Sequence, residues 1–357
     1  MTFLIAAAGT GGHVFPGLAV GEALLARGTP NESILYVGGD RLEKSVYPEA
    51  GFSFLQLEVR GLQRSMTTRN LSLPRVVWRA RDTINAAIEE RNVKVVLGMG
   101  GYVTIPAALA TRSSESVLLV AEQNAGGGLA NRIASRWATR IFTSFPDTEG
   151  LKRGEWVGNP VRQALSSLDR ENVRPQALAH YGLDPRYPVL GAMGGSLGAG
   201  VINGAVGDLV TTWEGGRIQV LHLTGEGNVS TEGNLSDAVH RVQRSFEERM
   251  ELFYAASDLV VARAGGGVAE LTATATPSIL IPGEFGSSGH QTANAAFLQG
   301  AGAAEVVSQD RLDLLPGLVS EILLSPERLE TMRIGARSIA KPNAAMTIAE
   351  AMEELVS

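Results

Sequence analysis

Two stretches of this chain share one construction, and that construction limits the fold more than any other feature. "FLIAAAGTGGHVFPG" (3–17) runs from an apolar segment through clustered glycines into a helical pattern, and "PVLGAMGGSLGAG" (188–200) repeats the order. A strand, a glycine loop and a helix in succession open a βαβ unit. Further apolar runs lie at 2–7, 34–37, 93–97, 117–120 and 140–143, and again at 218–222, 259–262 and 278–281. Most are continuous rather than alternating, as strands covered by helices on both faces require. Helical patterns such as 16–27 and 78–91 separate them. The pattern predicts an α/β fold of two Rossmann-like, doubly wound domains facing a cleft. A length of 357 residues accommodates two domains of about 150–200 residues. "VGNPVR" (157–162) breaks any regular element, so the boundary is placed there, giving domains 1–159 and 160–340.

Composition narrows the function. Hydrophobic residues make up 44% and charged residues 19%, a globular balance. With no cysteine, disulfides and thiolate metal sites are excluded, which fits a reducing cytoplasm. No apolar run reaches the ~20 residues of a bilayer span, and no signal peptide is expected. The net charge of −6 argues against nucleic acid. It is unevenly spread: residues 1–159 hold 17 basic and 14 acidic side chains (+3), and the remainder 14 and 23 (−9). Arg60, Arg64, Arg69, Arg75, Arg79 and Arg81 stand in a window without an acid.

Three glycine loops follow strands, at 9–12, 98–102 ("GMGGY") and 194–200. Such loops aim backbone N–H groups and a helix N-terminus at an anion, so phosphate or pyrophosphate is the expected ligand. A dinucleotide-binding oxidoreductase is the competing reading. Gly9-x-Gly11 begins that fingerprint, but Val14 stands at the third glycine position. No Asp-x-Asp or H-E-x-x-H occurs and the five histidines are scattered, so neither a metal nor another cofactor is expected. Backbone dipoles and polar side chains would then stabilise a departing pyrophosphate. His13, placed just before the first helix, is the candidate to take a proton from an attacking hydroxyl; the alternative is a cap or packing role. In "RAGGGVAE" (263–270), Arg263 is placed to meet a phosphate and Glu270 to accept ribose hydroxyls, unless Glu270 is a solvated helix charge. In "GHQTANA" (289–295), Gln291 and Asn294 share a helix face, and with His290 they offer groups that read sugar hydroxyls or a base edge.

"GTGGHVFPGLAVGEAL", "GMGGY", "EQN", "GNPVR", "GGSLGA" and "HQTANA", in this order, resemble the MurG family of bacterial glycosyltransferases over essentially the whole chain. The resemblance implies the GT-B fold, with the C-terminal helix 341–357 joining the first domain. It implies inverting, metal-independent transfer of N-acetylglucosamine from UDP-GlcNAc to the C4 hydroxyl of undecaprenyl-pyrophosphoryl-MurNAc-pentapeptide. Such an enzyme serves cell-wall peptidoglycan synthesis, and with it cell shape and division, as a peripheral protein on the cytoplasmic face of the membrane, with other cell-wall synthesis proteins as the implied partners. His13 becomes the general base. Thr10, Gly11, Gly12, Asn124, Arg162, Ser196, Glu247 (in the stretch facing uracil), Gly266, Gly267, Val268, Glu270, His290, Gln291 and Asn294 become donor contacts. Gly11, Gly12, Gly100, Gly101 and Tyr102 would meet the acceptor's pyrophosphate. The arginine-rich window then reads as a surface for the anionic inner leaflet, carried by Leu71, Leu73, Arg75, Trp78, Arg79, Arg81, Arg136, Trp137 and Arg140; an amphipathic helix that buries Trp78 is the alternative. The chain departs from the family at Ala121, where a histidine is usual, at Leu197 and Gly200 in place of glutamine and arginine, and in a 263–270 loop one residue short. These departures leave open a different donor or acceptor, or a nucleotide-sugar-binding protein without turnover.

Overall fold

The computed structural model describes residues 2–59, 73–195, 198–225, 228, 235–283 and 288–356. It divides into two units, one of residues 1–163 with 342–357 and the other of residues 164–341.

The first unit is built on β1 (Thr2–Ala6), β2 (Ile34–Gly38), β3 (Ser53–Gln56), β4 (Val93–Gly98), β5 (Val117–Glu122), β6 (Arg140–Thr143) and β7 (Glu155–Trp156). All pair in parallel, in the order β3-β2-β1-β4-β5-β6-β7. The second unit contains β8 (Val189–Met193), β9 (Ile218–Leu223), β10 (Val239–Arg244), β11 (Leu259–Ala262), β12 (Ser278–Leu280) and β13 (Ala304–Val306). Their order, β10-β9-β8-β11-β12-β13, repeats the arrangement of the first unit. Each sheet reverses direction beside its first strand, and the crevice outside the strands' C-terminal ends at that point is where such sheets bind ligands.

The predicted strands form the middle of each sheet, whereas β3, β7, β10 and β13 were not predicted. All four are edge strands. An edge strand is less completely covered, so a continuous apolar run is not required of it. Thus β10 reads VHRVQR and is buried only at Val239.

Residues of alternating direction along each strand feed separate cores. In the first unit, Ile5, Leu97 and Phe142 face the helices Gly11–Ala26 and Ala344–Glu354, while Leu4, Val96 and Leu118 face Leu73–Arg91 and Thr104–Thr111. Ile348 and Met352 bring the C-terminal helix into the first core, each fully buried and contributing about 1.5–3 kcal/mol. Ion pairs from Arg27 to Glu350 and Glu353, both 2.8 Å, set its register but lie at the surface, where such pairs contribute little.

The helix Gly11–Ala26 begins five residues earlier than its pattern predicts. His13 therefore belongs to its first turn rather than preceding it. Pro16, whose missing N–H leaves the Gly12 carbonyl without its intrahelical donor, obscured the start.

The second unit buries two polar clusters. Asp258 accepts from Arg170, Arg174 and the Val189 N–H at 2.8–2.9 Å. Burial alone would raise its carboxyl, yet the two arginines outweigh it and hold the group below the usual carboxylate range. His222, fully buried on β9, contacts Asn203 Oδ1 through Nε2 at 3.0 Å and receives Arg241 at Nδ1 at 2.9 Å. Burial, reinforced by the Arg241 charge, lowers its pKa from 6.5 to about 4. The folded state thus resists a proton that the unfolded chain accepts. Stability present above pH 6.5 declines as pH falls towards 4, by about 3 kcal/mol for this residue. Urea unfolding of the second unit at pH 7 and pH 4.5 should show this loss in the native protein and a smaller one in His222→Gln.

Candidate functional site

In the first unit, the loops at the C-terminal ends of β1, β2, β4 and β5 are tied by two buried carboxylates. Glu43, fully buried, accepts from the Gly9 N–H (3.1 Å), the Gly39 N–H (2.9 Å) and the Tyr102 hydroxyl (2.7 Å). Glu122, at the end of β5, accepts from the backbone N–H groups of Gln123, Asn124 and Gly128 and from the side chains of Asn124 and Asn131, at 2.8–3.2 Å. Neither residue was picked out as a site residue. The sequence signal for Glu122 was the "EQN" triplet; Glu43 has none, because its partners lie in other loops.

His13 projects from the first turn of its helix into this frame. Its Nδ1 lies 2.8 Å from Gln123 Oε1, and Gln123 Nε2 donates to the Ala121 carbonyl at 2.9 Å. Gly100 and Gly101 lie against the imidazole. A Cβ at Gly100 would come within 3.0 Å of His13 Cε1, and one at Gly101 within 2.5 Å of the Ala8 carbonyl; both residues have positive φ, +89° and +72°. The "GMGGY" loop is thus glycine-rich because it seats the histidine, whatever else it binds. Thr10 caps the helix with its backbone only, its carbonyl accepting from the His13 and Val14 N–H groups.

Several predicted contacts are occupied internally. Tyr102 donates its hydroxyl to Glu43, and burial together with that carboxylate raises its pKa, so the hydroxyl is not presented to an acceptor pyrophosphate. Asn124 is bound to Glu122. Arg162 stacks its guanidinium 5.3 Å from the Phe15 ring centre. It also offsets part of the burial that raises the Glu22 carboxyl.

In the second unit the loop after β8 approaches β9 closely. Gly198 has φ +72°, and a Cβ there would meet the Thr224 carbonyl at 2.3 Å. Ser196 and Leu197 lie outside the described residues. After β11, Arg263 donates to the carbonyls of Ile281 and Pro282, both at 3.1 Å, which makes it a strut between strand ends rather than a phosphate ligand. Gly266 and Gly267 lead into the short helix Val268–Ala273; Val268 is buried and its N–H donates to the Gly265 carbonyl. Glu270 is partly exposed and accepts the Tyr254 hydroxyl at 2.8 Å through one carboxylate oxygen.

The helix Ser288–Gly300 does bring Gln291 and Asn294 to one face, but that face grips the loops. Asn294 is fully buried and donates to the Ala264 carbonyl at 3.0 Å, so its amide helps fix the loop after β11. Gln291 accepts from the Gly283 N–H at 2.8 Å. His290 is partly buried on the same helix. The Glu247 side chain accepts from the Tyr181 hydroxyl and the Arg249 N–H, both at 2.8 Å. A groove of about 510 Å³ beside the helix Gly200–Thr212 is lined by Asp208 and Asp310, charges that disfavour a diphosphate there.

The predicted lipid-facing residues are mixed. On Leu73–Arg91, Trp78 is 55% exposed, so the inward-packing alternative fails. Arg75 and Arg79 are exposed beside it. The neighbouring helix begins at Leu129, 65% exposed, and Trp137 is 37% exposed beneath the Arg112 guanidinium. Arg136 is exposed as well. By contrast, Arg140 pairs with Glu155 and Glu354, and Arg81 with Asp82 and Ser113, so these charges are largely spoken for. Leu71, Arg60, Arg64, Arg69 and the side chain of Leu73 lie outside the described residues.

Against known proteins, the Glycosyltransferase family 28 N-terminal domain matches residues 3–143 and the corresponding C-terminal domain residues 189–353. The chain is 38% identical, over 99% of its length and 98% of the relative's, to the UDP-N-acetylglucosamine--N-acetylmuramyl-(pentapeptide) pyrophosphoryl-undecaprenol N-acetylglucosamine transferase of Halorhodospira halophila. It is 39% identical to the protein of that name from Acidithiobacillus ferrooxidans, with 98% and 97% coverage. Among solved structures, Acinetobacter baumannii MurG superposes with a TM-score of 0.78 at 25% identity, covering 99% of both chains. A UDP-GlcNAc 2-epimerase from Neisseria meningitidis, at 13% identity, TM-score 0.67 and coverage of 99% and 100%, shares the fold.

Removing the Glu43 carboxylate strands two N–H groups and a hydroxyl, each costing about 1–3 kcal/mol when buried unpaired. Glu43→Ala should therefore destabilise the first unit by about 3 kcal/mol or more in urea unfolding. Tyr102→Phe removes one donor to that carboxylate and should cost about 1.5–3 kcal/mol.

Proposed function

Because the chain belongs to glycosyltransferase family 28, we propose that it transfers N-acetylglucosamine from UDP-GlcNAc to the C4 hydroxyl of undecaprenyl-pyrophosphoryl-MurNAc-pentapeptide, making the disaccharide-linked lipid. The observation that carries the mechanism is the His13 imidazole, fastened through Nδ1 and free of any described partner at Nε2.

His13 Nε2 takes the proton of the acceptor hydroxyl as its oxygen bonds to C1 of the sugar. The bond from C1 to the β-phosphate oxygen breaks on the opposite face, UDP leaves with the electron pair, and the configuration at C1 inverts. Negative charge gathers on the departing diphosphate, where the glycine loop and helix N-terminus after β8 supply oriented dipoles. The Glu270 carboxylate suits the ribose hydroxyls, and His290 and the NH2 group of Gln291 suit the sugar. Gly11 and Gly12, at the N-terminus of the His13 helix, suit the acceptor's pyrophosphate. The step asks nothing of a metal.

The acceptor's lipid requires a membrane surface. No described helix is long and apolar enough to cross a bilayer. Trp78, Leu129 and Trp137 among Arg75, Arg79, Arg112 and Arg136 form a face suited to anionic lipid. We place the enzyme peripherally on the cytoplasmic leaflet, where the nucleotide sugar is present.

UDP release should require both UDP-GlcNAc and a short-chain lipid-linked MurNAc-pentapeptide, with UDP-glucose inactive; release independent of acceptor, or none in protein that still binds UDP, would refute the assignment. His13→Ala should lower turnover by about 10²–10⁴-fold with donor affinity unchanged. Arg75→Glu with Arg79→Glu should weaken sedimentation with anionic liposomes, at about 1 kcal/mol per charge lost, and leave UDP binding intact.

A further inference from the structure

We infer that Gln123 is a positioning residue that holds neutral His13 in its Nδ1–H tautomer and so keeps the Nε2 lone pair directed at the acceptor hydroxyl. This rests on the proposed role of His13 as base and goes beyond it by naming the group that makes the base competent.

Gln123 is 2% exposed, and its amide has only one workable orientation. With Nε2 donating to the Ala121 carbonyl at 2.9 Å, Oε1 faces His13 Nδ1 at 2.8 Å. Reversal would set Oε1 against the Ala121 carbonyl, two acceptors in contact, and turn an NH2 group to the ring. An amide oxygen accepts only, so Nδ1 must carry the hydrogen, and in the neutral ring Nε2 is then the acceptor. Free histidine in water prefers the opposite tautomer, with hydrogen on Nε2, which cannot take a proton from a hydroxyl there. The hydrogen bond that His13 Nδ1–H donates to Gln123 Oε1 reverses that preference.

The position of Gln123 is itself enforced. Its backbone N–H and that of Asn124 both end on Glu122 Oε1 at 3.1 Å, and Asn131 joins Ala121 and Glu122 at 3.0 and 2.8 Å. Across the ring the backbone of Gly100 and Gly101 lies close, a Cβ at Gly100 coming within 3.0 Å of His13 Cε1. A neutral partner, unlike a carboxylate, orients the ring without adding a charge beside the diphosphates that both substrates carry.

The test uses full-length protein labelled with ¹⁵N in its histidine rings, the His13 signals being identified by their loss in His13→Ala. Above the titration of the imidazole, the native spectrum should show His13 as Nδ1–H. Gln123→Met, close in shape but without an acceptor, should move it largely to Nε2–H. Turnover should fall about 10²-fold, with KM for UDP-GlcNAc unchanged. Gln123→Glu, which still only accepts, should restore the Nδ1–H form and raise turnover well above that of the Met variant. A native His13 already in the Nε2–H form overturns the inference, and this spectrum decides even if a variant misfolds. An unchanged tautomer in Gln123→Met overturns it as well. Full turnover in His13→Ala would instead remove His13 as the base, a failure the spectra do not share.

Discussion

Glu43 is a carboxylate without exposure to water that no cation in the described structure pairs with, and the ligand-facing edge of the first unit hangs on it. Burying such a group is unfavourable unless its oxygens are hydrogen-bonded. Here the three donors come from the ends of three strands: Gly9 after β1, Gly39 after β2 and Tyr102 after β4. The requirement to satisfy one charge thereby aligns three loops. Glu122 does the same for the turn after β5. Between these two anchors, the glycines at 100 and 101 and the amide of Gln123 enclose the His13 ring. Preorganisation of this kind gives an imidazole catalytic value, because a ring free to rotate would present the wrong nitrogen for part of the time.

The second unit uses the same topology with different fastenings. Its loops are held by amides and an arginine rather than by buried carboxylates: Asn294 on Ala264, Gln291 on Gly283, Arg263 on Ile281 and Pro282. That choice fits a site for a dianionic nucleotide diphosphate. Buried carboxylates beside the phosphates would oppose binding, whereas amides fix the backbone and leave the local field to the N–H dipoles. The buried ionic cluster around Asp258 joins the start of β8 to the helix Arg170–Tyr181, not to the loops at the strands' C-terminal ends.

The uneven charge of the chain also finds a structural counterpart. On one face of the first sheet, the helix Leu73–Arg91 exposes Trp78, and the helix Leu129–Ala134 with the turn after it exposes Leu129 and Trp137, among arginines. A soluble surface seldom leaves indoles this exposed without a use for them. Of the arginines counted from sequence, Arg140 and Arg81 are engaged in pairs, and the exposed Arg112, which had not been counted, covers Trp137. A charge count along the chain does not tell which arginines are paired and which are exposed.

Hydrophobic patterning was sufficient for the central strands, the repeated strand–loop–helix unit and the glycine loops, because burial on both faces imposes a continuous apolar run whatever the partners are. It missed β3, β7, β10 and β13, which are edges and escape that demand. It also put His13 at the end of the first strand, where the structure has it in the first turn of the following helix, since a strand end is a local property. The roles of the polar residues were another matter. Asn294, Glu247, Tyr102 and Gln123 all look equally available in a sequence. Which of them faces a ligand depends on hydrogen bonds across 30, 66, 59 and 110 residues. Local sequence carries the period of an element and the flexibility of a turn; it carries nothing about a partner brought close only when the sheet closes, and it is that partner which either frees a polar group for chemistry or consumes it in holding the fold.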